Sequence, residues 1–329
     1  MRVLIIVLSL SYYVFLMVYP HLFPESLRTP VKGKIVVAIP FGVDAGKVVN
    51  ILYRKGVTKY PDIVLRLIKR EGADRRIRAG GYVFGKGLSA WDVVKVLERG
   101  RVSLCRVSIP EGLTAMQIAN ALLKFGIKRV DFMYCVAHKN LFDFEFNKYI
   151  RGNSLEGFLF PDTYLFPVGF SAKDLVEMML KQFERKAGRL LRKVRNSRWG
   201  IYDRMIVASI VEKEALVPEE KPIIASVFFN RLRIGRKLES CATVEYVLPK
   251  HKQKLTLKDL KIDSPYNTYI HKGLPPTPIC NPGLDSIRAA VNPAKTKYLY
   301  FVLQKGGRHH FSITYKEHLR YKLKYERGK

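Results

Sequence analysis

Hydrophobic and polar positions divide the chain into stretches of different character. After Met1 and Arg2 comes VLIIVLSLSYYVFLMVYPHLFP, with no charged side chain before Glu25. A bilayer core about 30 Å thick needs roughly 20 apolar helical residues. Residues 1–24 therefore predict a single transmembrane anchor, followed by a linker over 25–35. The stretch lacks a small-residue cleavage pattern and carries Tyr12, Tyr13, Phe15 and Tyr19, which favours an uncleaved anchor over a cleaved signal peptide. Arg2 then stays on the cytoplasmic side and the long remainder lies outside the cytoplasmic membrane.

Between 36 and 127 the pattern repeats. VVAIPFGVDAGKVVNILYRKGV (36–57) aligns without gaps on RVSIPEGLTAMQIANALLKFGI (106–127), and GLSAWDVVKVLERG (87–100) is a partial third copy. An alternating strand precedes each full copy. Asp44, Ser89 and Thr114 suit helix N-caps, Thr114 with Gln117 as a capping box, and Gly56, Gly100 and Gly126 suit C-caps. Each unit reads as a strand and a short helix, and the pattern leaves open whether these bind a polysaccharide or only pack. Residues 131–150 read as a helical, aromatic-rich close of a first domain, giving boundaries at 36–150 and 151–329.

Further on, residues 171–197 predict a long basic helix with Leu175, Met178, Met179 and Phe183 on its core face. YDRMIVASIVEKEA (to residue 215) predicts a helix apolar on most sides, and so buried, ending in two acids. Ile201, Met205, Ala208, Glu212 and Ala215 form one stripe; Val207, Ile210, Val211 and Glu214 form another. Periodicity does not choose between the acids. Whichever one reaches an apolar or cleft-lining place would be held protonated by desolvation, as a general acid for glycoside cleavage requires. Downstream, 264–301 is dense in Tyr, Asn, Thr, Ser and Pro, so that stiff loops can hold hydrogen-bonding groups in place.

Composition changes this picture in one respect. With 58 Lys and Arg against 28 Asp and Glu the chain carries +30 at pH 7, which attracts polyanions. An external location excludes nucleic acid, and leaves anionic lipid and cell-wall polymer. Cys105, Cys135, Cys241 and Cys280 have neither CxxC nor metal-ligand spacing. His309, His310 and His318 near the C-terminus lack a ligand pattern too, so no metal or other cofactor is expected. A sheet edge and a basic final helix account for that segment.

LEGFLFPDTY (155–164), ASIVEKEA (208–215), VFFNRL (227–232) and SPYNTYIHKGLPPTPICNPG (264–283) occur in order. Together they resemble the YceG-like family, the membrane-anchored endolytic murein transglycosylases. The resemblance implies an α+β protein with a transmembrane helix, LysM-like strand–helix modules and a mixed α/β catalytic domain. It implies cleavage of the β-1,4 bond between N-acetylmuramic acid and N-acetylglucosamine in nascent peptidoglycan, with peptidoglycan synthases as further partners. The bond would break without water, leaving a 1,6-anhydro end. By the same resemblance Glu212 matches the catalytic glutamate, and Glu156, Asn230, Thr243, Tyr266, Asn267 and Thr268 fall on positions expected around the glycan. One departure stands out: LESCAT (238–243) has Cys241 where the family carries an aspartate. Glu239 or Glu245 could take that aspartate's place. The four cysteines read equally well as buried free thiols or as paired, with Cys241–Cys280 as the disulfide singled out. The competing reading is a catalytically silent peptidoglycan-binding scaffold.

Overall fold

In a computed structural model the structure describes residues 28, 30–31, 33–40, 42–99, 104–167, 170–249, 252 and 255–326. The expected anchor, and Gly100 as a C-cap, lie outside these residues. Among the described residues no helix is long and apolar enough to cross a membrane.

The chain forms two compact units. The first holds residues up to Val107 together with Tyr164–Asp174. Here β1 (Ile35–Ile39) leads to helices α1 (Ala45–Arg54) and α2 (Pro61–Arg70), and then to β2 (Gly80–Phe84) and α3 (Ala90–Arg99). β1 and β2 pair antiparallel, with Ile35 opposite Phe84 and Ile39 opposite Gly80. Alternation along the strands sends Val37, Ile39, Tyr82 and Phe84 into a core shared with Leu52, Val64, Ile68, Val93 and Leu97. The helices start where their caps put them. Asp44 accepts from the Lys47 N–H at 2.8 Å. Ser89 Oγ accepts from the Asp92 N–H while Asp92 accepts from the Ser89 N–H, closing a reciprocal box. β3 (Leu104–Ser108) and β4 (Thr163–Pro167) pair in a second two-stranded sheet.

The second unit comprises Ser108–Thr163 and Leu175–Lys329. It takes in α4 (Ala115–Leu122), α5 (Arg129–Val136) and most of α6 (Ala172–Phe183). From α6 a π-helical turn at Glu184–Gly188 leads into a short helix, Arg189–Arg192, so the basic helix expected over 171–197 is interrupted and ends at Arg192. α7 (Ile201–Glu214) and α8 (Lys221–Arg233) follow, then the short α9 (Cys241–Glu245), α10 (Leu284–Val291), the β5 (Tyr300–Leu303) and β6 (His309–Ser312) hairpin, and α11 (Tyr315–Glu326). Thr114 caps α4 with the expected Gln117 box.

The division at 107/108 differs from the expected boundary at 150/151, and the second full copy of the repeat belongs to the second unit. The reason is packing. Phe144, Phe146 and Phe158 gather around Phe183 with ring centroids 5.1–5.9 Å away. The segment after α5 is not one helix but short 3-10 turns, Lys139–Leu141 and Glu145–Tyr149, the second of which aims Phe144 and Phe146 inward.

α7 is apolar on every side and is buried from Ile201 to Val211, apart from Asp203 and Arg204. It packs against α8 and α10. A polar clasp centred on Asn281, 1% exposed, fixes the loops beside its C-terminal end. Asn281 Oδ1 accepts from the Gly157 and Leu159 N–H groups, each at 2.9 Å. Its amide donates to the Leu113 carbonyl at 3.0 Å and to Glu156 at 2.8 Å. Glu156 in turn accepts from the Ala115 N–H at 3.0 Å. Gly157 is obligatory here, with φ at +92° and a Cβ that would fall 2.5 Å from Pro278.

Two outcomes follow from the clasp. Asn281→Leu leaves two buried N–H groups unpaired and should lower the unfolding free energy by roughly 2–5 kcal/mol; a urea titration giving a loss below about 1 kcal/mol would contradict the clasp. The second concerns pH. Burial pushes the Glu156 carboxyl up to about 7, against the opposing hydrogen bonds from Ala115, Asn281 and Gly157. A carboxyl raised in the folded state binds its proton more tightly there than in the unfolded chain. Its contribution is complete below about pH 4.5 and is lost as pH rises through about 7, amounting to about 3 kcal/mol. Unfolding free energy should therefore fall between about pH 5 and 7.5 by this component in the wild type, and the component should be missing in Glu156→Gln. Equal slopes in the two proteins would refute the assignment.

Candidate active site

The two acids that periodicity could not separate leave the end of α7 in different directions. Glu212 turns toward the start of α10. Its Oε2 accepts from the Gly283 N–H at 3.0 Å and from the Ser286 hydroxyl at 2.6 Å. Lys221, at the first position of α8, brings its Nζ to 3.4 and 3.3 Å from the two carboxylate oxygens. The Glu212 side chain is 10% exposed and that of Lys221 9%. A carboxylate at the N-terminus of α10 also meets the positive end of that helix. Glu212 is thus fixed in position by a backbone amide, a hydroxyl and an ammonium.

Glu214 turns the other way. It accepts from the Ser240 hydroxyl, and desolvation pushes its carboxyl up against the opposing bonds from Ser240 and the Ala242 N–H. Glu214 sits in surroundings braced by threonines. Thr243 and Thr268 hydroxyls meet at 2.8 Å, and Thr268 Oγ1 accepts from the Ser240 N–H at 3.0 Å. Thr243 also donates to the Ser240 carbonyl at 2.8 Å.

The other residues expected around the glycan have the following places. Glu156 is buried with its oxygens taken by Ala115 and Asn281. Asn230 donates to the carbonyls of Thr296 and Tyr298, each at 2.9 Å, and ties α8 to the strand leading into β5. Nine residues of helix separate it from Lys221, about 13 Å. Asn267, fully buried, donates to Leu260 and Ile262 carbonyls and accepts from the Tyr269 N–H. Thr243 and Thr268 are internal as well. Tyr266 is half-buried, its hydroxyl 2.8 Å from Thr277 and its ring 4.9 Å from that of Tyr246. Most of this set braces the loops; Tyr266 is the one with a partly open ring.

The disulfide expectation is corrected: all four thiols are free. Cys280 is buried, its Sγ 3.3 Å from the Ser209 carbonyl, and desolvation pushes the thiol up. Cys241 lies at the surface beside the Tyr269 hydroxyl at 3.1 Å. The two sulfurs sit against different partners and do not meet. Glu239 is occupied by Arg231 at 2.9 Å, and its backbone has φ at +52°. Among the C-terminal histidines, His309 is buried with its Nδ1 2.7 Å from Glu220, His310 stacks on Tyr321 and His318 on Tyr300.

Sequence reasoning missed Lys221, Ser286, Gly283 and Glu111. Glu111 lies in the turn before α4, with its carboxylate 4.0 Å from Lys221 Nζ. Burial and the negative charge of Glu212 raise its carboxyl, and Lys221 opposes them. A Cβ on Gly283 would fall 1.9 Å from the Glu111 Cδ, so the Glu111 side chain lies directly over this glycine and would have to swing away from any larger residue there. One signal was available: the first repeat copy reads IPFG where the second reads IPEG.

The chain is similar to known proteins over most of its length. A sequence model of the YceG-like family matches residues 37–324. The chain is 34% identical over 323 residues to a Bacillus subtilis protein named endolytic murein transglycosylase, covering 92% of this chain and 89% of that one. A Streptococcus pneumoniae protein of the same name is 28% identical over 300 residues, 82% of this chain and 54% of the relative. A crystal structure of a yceG-like protein from Listeria monocytogenes superposes with a TM-score of 0.60 at 33% identity, covering 88% of this chain and 100% of that one. The chain belongs to the YceG-like family.

Proposed function

We propose that this protein is an endolytic murein transglycosylase, with Glu212 as its acid and base. The observation that carries the reading is the carboxylate of Glu212, held at the start of α10 by Gly283, Ser286 and Lys221 at the end of a fully packed helix. The names of the relatives at 34% and 28% identity support the choice of murein as substrate. Hydrolytic glycosidases use two carboxylates, one of them to activate water or to form a covalent intermediate. A lytic reaction needs one. Glu212 gives its proton to the leaving glycosidic oxygen as the bond from C1 of N-acetylmuramic acid breaks. The sugar's own 6-hydroxyl closes onto C1, and its proton passes to the Glu212 carboxylate. The acid is regenerated, the product ends in a 1,6-anhydro ring and no water enters.

The remaining expectations keep the status of proposals. Residues 1–24 anchor the chain in the cytoplasmic membrane with the rest outside, as the apolar run and the positive-inside bias support. The β1–α1–α2–β2 unit serves as a LysM-like module that holds glycan strands, and the enzyme works beside peptidoglycan synthases.

Incubated with nascent glycan strands, the full chain should release 1,6-anhydro-ended fragments, identified by mass spectrometry. In water enriched in heavy oxygen these ends should carry no label. Glu212→Gln should reduce the rate by about 10²–10⁴-fold without loss of glycan binding. Unchanged product from Glu212→Gln would remove Glu212 from the reaction, and no product from the wild type would favour the silent scaffold. A reporter enzyme fused after residue 329 should be active only outside the cytoplasm; activity inside would overturn the proposed topology.

A further inference from the structure

The contacts of Glu212 raise a difficulty for the chemistry just described. A proton donor must be protonated when the glycan arrives, yet Glu212 is paired with Lys221 at 3.3 Å and accepts from the Gly283 N–H and the Ser286 hydroxyl. With Lys221 as its only charged neighbour, one ammonium would balance one carboxylate and leave nothing for a proton to neutralise. The second carboxylate changes the count. Glu111 and Glu212 flank a single Lys221, at 4.0 and 3.3 Å. Two negative charges against one positive leave one in excess, and one proton neutralises it. Like charges sharing a site cannot both be ionised without cost.

Glu111 stands against the loop that holds Glu212. Its side chain lies so close to Gly283 that any Cβ there would collide with the carboxyl carbon, and Gly283 is the residue whose N–H binds Glu212. Gly112, next in the chain, has φ at +77° and stands over Glu212, with its Cβ position 3.5 Å from the Glu212 Cγ. The Gly112 N–H donates to the Asn281 carbonyl at 2.9 Å, which ties this turn to the clasp. Exposure differs within the group: the Glu111 side chain is 51% exposed, against 10% for Glu212 and 9% for Lys221. Glu111 is therefore the member that solvent reaches. The strand–turn–helix itself does not need an acid at this position, since the first copy of the repeat has Phe41 there.

We propose that Glu111 is a positioning residue for the same reaction: its carboxylate, set against Gly283 and across Lys221 from Glu212, keeps one proton within the Glu111–Lys221–Glu212 group and connects it to solvent. The proposal rests on Glu212 being the acid. The charged and titratable groups facing Glu111 are Glu212 from α7, Lys221 from α8 and Asp285 from α10. Lys213 lies beside Gly112, and the buried thiol of Cys280 feels the charge of Glu212. When the proton leaves at high pH, Glu212 can no longer donate, so the group sets the alkaline limb of the rate profile.

The test is the pH dependence of kcat and KM for glycan cleavage by the full chain in detergent. Removing one negative charge in Glu111→Gln should move the alkaline limb of kcat downward by about one pH unit, with KM changed less than about threefold. Glu111→Asp, which keeps the charge, should restore the limb toward the wild-type position. A residue that only braced the turn would lower the rate by the same factor at every pH. A Glu111→Gln profile of wild-type shape, whatever its height, overturns the proposal. If that variant is too slow to profile, the ¹³C carboxyl signal of Glu212, assigned by its loss in Glu212→Gln, gives a second readout. That signal should titrate at lower pH in Glu111→Gln than in the wild type, and an unchanged titration overturns the proposal. Full activity of Glu212→Gln would defeat the assignment of the acid; an inactive Glu212→Gln with an unshifted Glu111→Gln profile would defeat this inference alone.

Discussion

The site depends on one buried side chain. Asn281 makes hydrogen bonds to two stretches of chain that are far apart in sequence from it: Leu113, and Glu156 with Gly157 and Leu159. Without this side chain the Gly157 and Leu159 N–H groups would be buried without partners, at a cost of about 1–3 kcal/mol each, while the Leu113 carbonyl would keep the Asn281 backbone N–H. The amide has both a donor and an acceptor face, and so can satisfy N–H and carbonyl groups at once. Two residues beyond Asn281 is Gly283, whose N–H reaches Glu212, and the Gly112 N–H donates to the carbonyl of Asn281 itself. The clasp therefore sets the turn that carries Glu111 and the start of α10 that receives Glu212.

A second knot stands on the other side of the same helix end. Thr243 and Thr268 hold Ser240, and Ser240 holds Glu214. Two acids two residues apart project roughly 200° apart around a helix, which is why both can be engaged without competing. The apolar girth of α7 fixes the height and rotation of this end, and the two knots specify what each acid meets. Glu214 is desolvated beside a hydroxyl. Glu212 has an ammonium, a helix N-terminus and, through Lys221, a second carboxylate.

Much of this was legible in the chain. Asp44, Ser89 and Thr114 cap helices where the capping patterns put them, because these signals act over three residues. The burial of α7 followed from its apolar girth. Partners across long sequence separations were not legible. Asn281 was recognisable as a stiffly held polar group in a proline-rich loop, but nothing local names Gly157 or Glu156, 124 and 125 residues away, as its partners. For the same reason, the inward hydrogen bonds of the motif residues Glu156, Asn267 and Thr268 had no local signature. The unit boundary moved because Phe144, Phe146 and Phe158 pack on Phe183, and ring packing leaves no local signature. Cys280 and Cys241 meet different partners, the first facing Ser209 and the second Tyr269.

The central claim is that the glycosidic oxygen of a murein strand meets the side chain at position 212. A crystal structure of Glu212→Gln with a bound tetrasaccharide of alternating N-acetylglucosamine and N-acetylmuramic acid tests it most directly. The account predicts the glycosidic oxygen within about 2.6–3.2 Å of the substituted side-chain amide, on the side of α7 that faces Gly283 and Ser286. A glycan bound with that side chain out of reach of any glycosidic oxygen, or seated instead on the Glu214–Ser240 side, would contradict it.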